Sequence, residues 1–336
     1  MLDYEMFKGV VEEELFFHLP DNLRKFKYEI RPVQKVNQTL DGIIFKGEGK
    51  SERVFPTLYL NEIYEDYKRS ENLDQVLTNA ANALGKGFEM ANNIAMNLDM
   101  AEAKDNIVFQ LINTEQNREM LSDMPHREFQ DLSIIYRWVV SVHDDGAIES
   151  ATVTNNLAES LGCTEKDLYE LAVENTRKIM PPKVYTMQEV MKKIFAKDGI
   201  PEEIAEMMIS EMNTDPEMTM WIISNEMGIN GAGNMLYEDQ LHKIAENMGD
   251  DLYVLPSSVH EVIAVSTSVA EPEKLAEMVN EVNLSQVSIG ERLSNQVYHY
   301  DKDLRKLTLA TDTPNKRLDG IVAEPPLIYE TKGQSR

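Results

Sequence analysis

Four side chains able to do chemistry stand within five residues of one another: Ser257, Ser258, His260 and Glu261, in the stretch PSSVHEVI. On an extended strand, alternate side chains share a face, so Ser258 and His260 would stand together and Ser257 and Glu261 would face the other way. A hydroxyl beside an imidazole is the beginning of an activated nucleophile, and a third group, often a carboxylate, orients the base. Ser258, His260 and Glu261 are therefore the catalytic candidates, for a hydrolase or transferase. Neither serine, however, lies in the Gly-x-Ser-x-Gly elbow that exposes a strained nucleophile. Pro256-Ser257-Ser258 also makes a turn whose hydroxyls satisfy backbone groups. With His260 bonded to a neighbour in the same way, the bend reads as architecture.

Upstream, SNEMGINGAGNML supplies the ligand-binding candidates Asn225, Asn230 and Gly231. Gly228, Gly231 and Gly233 follow an apolar strand and precede an amphipathic helix, where phosphate loops sit. Their Gly-x-x-Gly-x-Gly spacing fits neither the dinucleotide fingerprint nor a Walker loop. A connection needing positive φ accounts for the glycines instead. The six histidines (18, 126, 143, 242, 260 and 299) form no ligand pair of zinc-site spacing, and there is one cysteine. No metal and no cofactor is expected. Cys163 reads as half of a hydrophobic staple with Leu168 rather than as a reactive thiol.

The elements that must hold these residues can be read in chain order. Residues 3–19 carry an amphipathic helix, with Phe7, Val10, Val11, Leu15 and Phe16 on one stripe. A hairpin is expected around Asp41-Gly42, a favoured two-residue turn. A helix capped by Asn72 follows, with a break expected at Gly85 and Gly87. Strands are expected at 107–112 and 132–142, the second turning back at Asp144-Asp145-Gly146. From Thr154 to about Met212 the chain reads as helical, with capping boxes at Thr164/Asp167 and Thr186/Glu189 and Pro201 at a helix start. Met-rich passages (MKKIF, EMMISEM, EMTMW) suit either core filling or an adaptable groove, and core filling is the commoner use. Strands then return at 220–224, on either side of Pro256, and at 296–300. Strands in hairpins, then helices, then strands indicate an α+β fold. The expected organisation is an N-terminal α+β lobe over 1–150, a helical middle section with a C-terminal α+β lobe over 151–310, and a flexible tail over 311–336.

Composition narrows the function. A net charge of −25 and a pI near 4.6 argue against direct binding to nucleic acid, which needs clustered cations. The acids are interleaved with Lys and Arg, which also disfavours an acidic decoy mimicking nucleic acid, as an anti-defence protein would. No apolar run is long enough to span a membrane, and the acidic first residues lack the basic leader of a signal peptide. One cysteine fits a reducing compartment, so a cytoplasmic location is expected.

Three passages together resemble a known family: FPTLYLNEIYEDYKR (55–69), WIISNEMGINGAGNML with DLYVLPSSVHEVI (221–236 and 251–263), and NEVNLSQVSIGERLSNQVYHYD (280–301). The family consists of uncharacterised intracellular proteins of clostridial gut bacteria, known as a domain of unknown function. The resemblance takes in residues 1–305, implies an intracellular bacterial protein, and marks Asn225, Asn230, Gly231, Ser257, Ser258, His260 and Glu261 as its signature. It transfers no activity, and the tail after Thr311 reads as an addition. The expectation is a non-enzymatic factor that binds a protein partner. The alternatives are the hydrolase or transferase built on 257–261 and the acidic decoy.

Overall fold

The computed structural model describes residues 1–46, 55–97, 100–143, 148–212, 219–313 and 317–318. The fold is α+β, with every strand pairing antiparallel in three sheets. The first sheet joins β1 (Lys27–Lys35), β2 (Gln38–Lys46) and β3 (Leu58–Tyr59). It packs with α1 (Tyr4–His18), the short α2 (Asp21–Arg24), α3 (Leu60–Ser70) and α4 (Leu73–Asn97). Their shared core includes Phe7, Val11, Leu15, Ile43, Leu60 and Leu77. Phe16, expected on the buried stripe of α1, is exposed.

Two glycine expectations are corrected here. Asp41-Gly42 is not a turn but lies inside β2, and the chain reverses at Val36 and Asn37, between the paired Lys35 and Gln38. Asn37 takes the left-handed conformation there (φ 61°), which Asn tolerates better than most residues. Gly42 serves close approach, since a Cβ would stand 2.6 Å from Cγ2 of Val33. Likewise α4 runs unbroken through Gly85 and Gly87. Cβ atoms at these positions would meet the rings of Pro20 and Pro56 at 2.9 and 3.0 Å. Packing outweighs the weak helix propensity of two glycines.

After α5 (Met100–Asp105), the second sheet joins β4 (Ile107–Asn113), β5 (His126–Phe129), β6 (Leu132–Val142) and β7 (Ile148–Thr152), with α6 (Arg118–Leu121) between β4 and β5. The long β6 pairs with β4 on one side, and with β5 and then β7 on the other. The expected turn at 144–146 lies outside the described residues. Both capping boxes form, opening α8 (Glu165–Ile179) after α7 (Asn155–Leu161), and α9 (Met187–Lys197). The 154–212 section is not wholly helical. Residues Pro182–Thr186 form β8, an edge strand paired with β9 (Trp221–Asn225), and proline is tolerated at the first position of an edge strand. Then come α10 (Glu202–Met212), α11 (Glu238–Met248), β10 (Leu252–Leu255), β11 (Val262–Ser266), α12 (Pro272–Gln286), β12 (Tyr298–Asp301) and β13 (Lys306–Leu309). The third sheet has the order β13-β12-β10-β11-β9-β8.

The second and third sheets share the largest core, in which Phe109, Ile134 and Tyr136 meet Leu241, Val254 and Tyr300. The boundary expected near residue 150 runs through this core. Among the described residues no helix is long and apolar enough to cross a membrane. Within the stretch read as a tail, Thr311 and Leu318 are buried.

Candidate functional site

Residues 256–261 link β10 to β11 as a bend, not as the extended strand that would put Ser258 and His260 on one face. Each ring nitrogen of His260 has a partner. The backbone N–H of Asn230 donates to Nδ1 at 3.3 Å, and Nε2 lies 3.3 Å from Oε1 of Glu291. An accepting Nδ1 places the proton of the neutral ring on Nε2, the nitrogen near the carboxylate. The main chain of His260 is held as well: Ser224 Oγ donates to its carbonyl at 2.7 Å, and its N–H donates to Ser258 Oγ at 3.0 Å. The hydroxyl that a nucleophile would present to the ring instead accepts from the backbone.

Two carboxylates near this ring differ in character. Burial pushes Glu261 above the usual carboxylate range; His260 and Ser258 counter this, and Glu291 adds to it. A hydrogen bond from Ser288 (2.8 Å) and the His260 ring nearby hold Glu291 below that range.

The ligand-binding candidates form the other wall. Asn225 closes its own loop: Nδ2 donates to the Ile229 carbonyl at 2.7 Å, and Oδ1 accepts from Met227 N at 3.0 Å. Asn230 adopts the left-handed conformation and opens a 3-10 turn over Gly231–Leu236. Positive φ explains Gly228 alone. Gly231 is required by contact, because a Cβ would lie 2.3 Å from Ser224 Oγ and 2.4 Å from the His260 carbonyl. Gly233 is pressed against Phe109 in the same way (2.5 Å). The structure therefore brings Asn225, Asn230, Gly231, Ser258, His260 and Glu261 together, with Ser257 on the same bend. Close packing, not a cradle of free N–H groups, accounts for the glycines. Cys163, before α8, packs against the core cluster that includes Leu168 and sends its thiol toward the Leu161 carbonyl. Among the described residues, no three of His, Cys, Asp or Glu group as a metal ion would require.

Sequence reasoning missed the segment that runs alongside the bend. Residues 291–297 pair backbone to backbone with it: Val259 N to Glu291 O, Leu293 N to Ser257 O and Ser294 N to Pro256 O, each at 2.9 Å. Arg292, Ser294, Asn295 and Gln296 are all buried. Ser294 Oγ donates to Asp131 at 2.6 Å, and the buried Tyr298 hydroxyl donates to the other oxygen of that carboxylate. Asn283 Nδ2 reaches Asn295 Oδ1 at 2.6 Å, and Thr311 Oγ1 reaches Gln296 Oε1 at 2.8 Å. From the first sheet, Asn37 donates to the carbonyls of Ile289 (2.9 Å) and Arg292 (2.6 Å) and accepts from Asn117. A polar cavity of about 620 Å³ opens beside this clasp, lined in part by Asn113, Asp131, Gln296 and Thr311. One signal was available in the sequence: uncharged amides and a hydroxyl framed by Leu293 and Val297 mark a buried, satisfied polar run.

These features define an antiparallel α+β protein whose conspicuous serine–histidine bend is locked into its scaffold. The chain belongs to a family of unknown function, DUF5688, whose model matches residues 4–302. No curated protein and no solved structure matches it.

Proposed function

We propose that this protein works by binding a basic protein partner through α9 and α10, in a regulatory or adaptor role, rather than by catalysis. One observation carries the reading. The two helices form a pair in which α9 has no buried residue, while Ile194 (51%), Ile204 (49%) and Met207 (62%) are exposed together with Met208. The Met-rich passages of α9 and α10 thus leave thioethers and branched side chains at the surface instead of filling core. Clustered exposed apolar side chains mark interaction surfaces, and methionine suits one that must adapt.

Charge indicates the partner's chemistry. Glu202 and Glu203 border these side chains on a chain of net charge −25, so a matching surface presents apolar groups beside Lys and Arg. The engagement of both ring nitrogens of His260 supports this reading over the hydrolase. The interleaved ion pairs, such as Lys192 with Glu206 at 2.9 Å, do not suit a decoy's uninterrupted anionic rows. The lone Cys163 suits a reducing compartment, and we place the role in the cytoplasm.

A photo-crosslinker at Met207 in the native host, followed by reconstitution from purified components, tests this. The expected result is a basic partner whose affinity falls roughly tenfold or more with Met207→Glu or added salt. Crosslinks only to a second copy of the chain, or a complex indifferent to Met207→Glu, would contradict it. So would a hydrolytic activity lost in His260→Ala.

A further inference from the structure

A second cavity, of about 410 Å³, opens between the edge strands β5 and β13. Its floor is apolar, with Phe129, Ile134, Leu236 and Leu241, while Arg127, Arg305 and Lys306 stand among its lining residues. Glu128 and Glu238 line it too, so its charged lining carries an excess of one cation, on a chain of net charge −25.

The hydrogen bonds show what these cations lack. Arg127 spends Nε and Nη2 on the two oxygens of Glu165, both at 3.0 Å, and Tyr136 OH takes Oε1 of the same carboxylate at 2.5 Å. Arg305 spends Nε on Glu238 Oε1 at 2.6 Å, which also accepts from Tyr300 OH at 2.8 Å. A guanidinium carries five N–H donors. Nη1 of Arg127 and the terminal amino groups of Arg305 therefore keep protons that these two carboxylates do not take. The Arg127 guanidinium also lies 3.8 Å from the centre of the Tyr169 ring, which holds the fork in place before any ligand arrives. A molecule suited to this lining offers acceptors to the cations and an apolar body to side chains such as Phe129 and Leu236.

We infer that the cavity binds a small carboxylate with an apolar, ring-sized body, its acid at Arg127, Arg305 and Lys306 and its body over Phe129 and Leu236. Such cavities are of the usual size for small ligands, and a guanidinium fork pairs well with a carboxylate. The site is independent of how α9 and α10 are used.

Titration of the full chain with 3-phenylpropionate, followed by calorimetry and by amide shifts, tests it. Saturable one-to-one binding is expected, with shifts centred on β5, β13 and Tyr169. The neutral 3-phenyl-1-propanol should bind roughly tenfold or more weakly, as the loss of a charge-assisted hydrogen bond implies. The double variant Arg305→Gln/Lys306→Gln should weaken the acid by a similar factor and leave the alcohol unchanged. Leu236→Trp should abolish binding of both. Should Leu236→Trp fail to fold, the two exposed polar substitutions carry the test. The inference is overturned by no shifts at millimolar acid, by shifts centred elsewhere, or by an alcohol that binds as well as the acid.

Discussion

Residues 256–261 and 291–297 run side by side, joined backbone to backbone, but they are built from different materials. The first carries the residue types of catalysis, partly exposed: the His260 side chain keeps 28% of its surface and its Glu291 partner 50%. The second, from Arg292 onward, carries amides, a hydroxyl and an arginine, buried to 7% or less. The bend bonds chiefly to the 224–230 loop and to Glu291. The clasp reaches Asp131, Asn283, Thr311 and, through Asn37, the first sheet. Reactive side chains are thus no guide to where the structure is most tightly specified. Buried polar groups that must all be satisfied at once specify it more sharply.

Substitutions can break this comparison. The largest effect is expected for Asn37→Ala, which strands the Arg292 carbonyl, leaves the Ile289 carbonyl only a long bond from Arg292 N, and removes one of the two acceptors of the Asn117 amide. A loss of about 3 kcal/mol follows from leaving such groups buried and unpaired, read from the urea midpoint. A loss no greater than that of an exposed alanine substitution would remove the clasp's importance. Gly231→Ala should cost about 2 kcal/mol, because a methyl must displace Ser224 Oγ and the His260 carbonyl. It should also perturb the His260 ring resonances.

His260→Ala should cost only about 1 kcal/mol, the worth of ordinary hydrogen bonds at a partly exposed site. A cost matching that of Asn37→Ala would erase the contrast between the two regions. The smallest effect, and of opposite sign, is expected for Glu261→Gln. Burial raises the folded-state pKa of this carboxyl, so its stabilising contribution is complete below the ordinary carboxylate pKa. That contribution is lost as pH rises through the raised value. At neutral pH the ionised carboxylate therefore costs stability, and Glu261→Gln should raise Tm there while flattening its decline from acid to neutral pH. An unchanged pH profile would contradict the burial argument.

Much of this was legible in the sequence where the signal is local. The capping boxes at Thr164 and Thr186 need only a few neighbouring residues, and they formed as spaced. The chemistry-bearing bend and the Asn230–Gly231 turn were picked out from residue type, and the structure puts them in contact. What failed depended on distant partners. Gly42, Gly85 and Gly87 were read as turn and breaker, but their role is set by Val33, Pro20 and Pro56 across the packing. β8 is too short, and too closely framed by helices, to show a period of its own. The clasp escaped because Asn and Gln gain meaning only from partners such as Asp131, more than a hundred residues away in the chain.

The central claim is that the His260 ring is a structural tie, its Nδ1 accepting from Asn230 and its Nε2 proton on the side near Glu291. Long-range proton–nitrogen NMR on ring-labelled protein reads the tautomer directly. The account predicts the Nε2–H form for the neutral ring, with the Nδ1 acceptor bond lost on Gly231→Ala. A neutral ring protonated on Nδ1, or one averaging freely between tautomers, would contradict it.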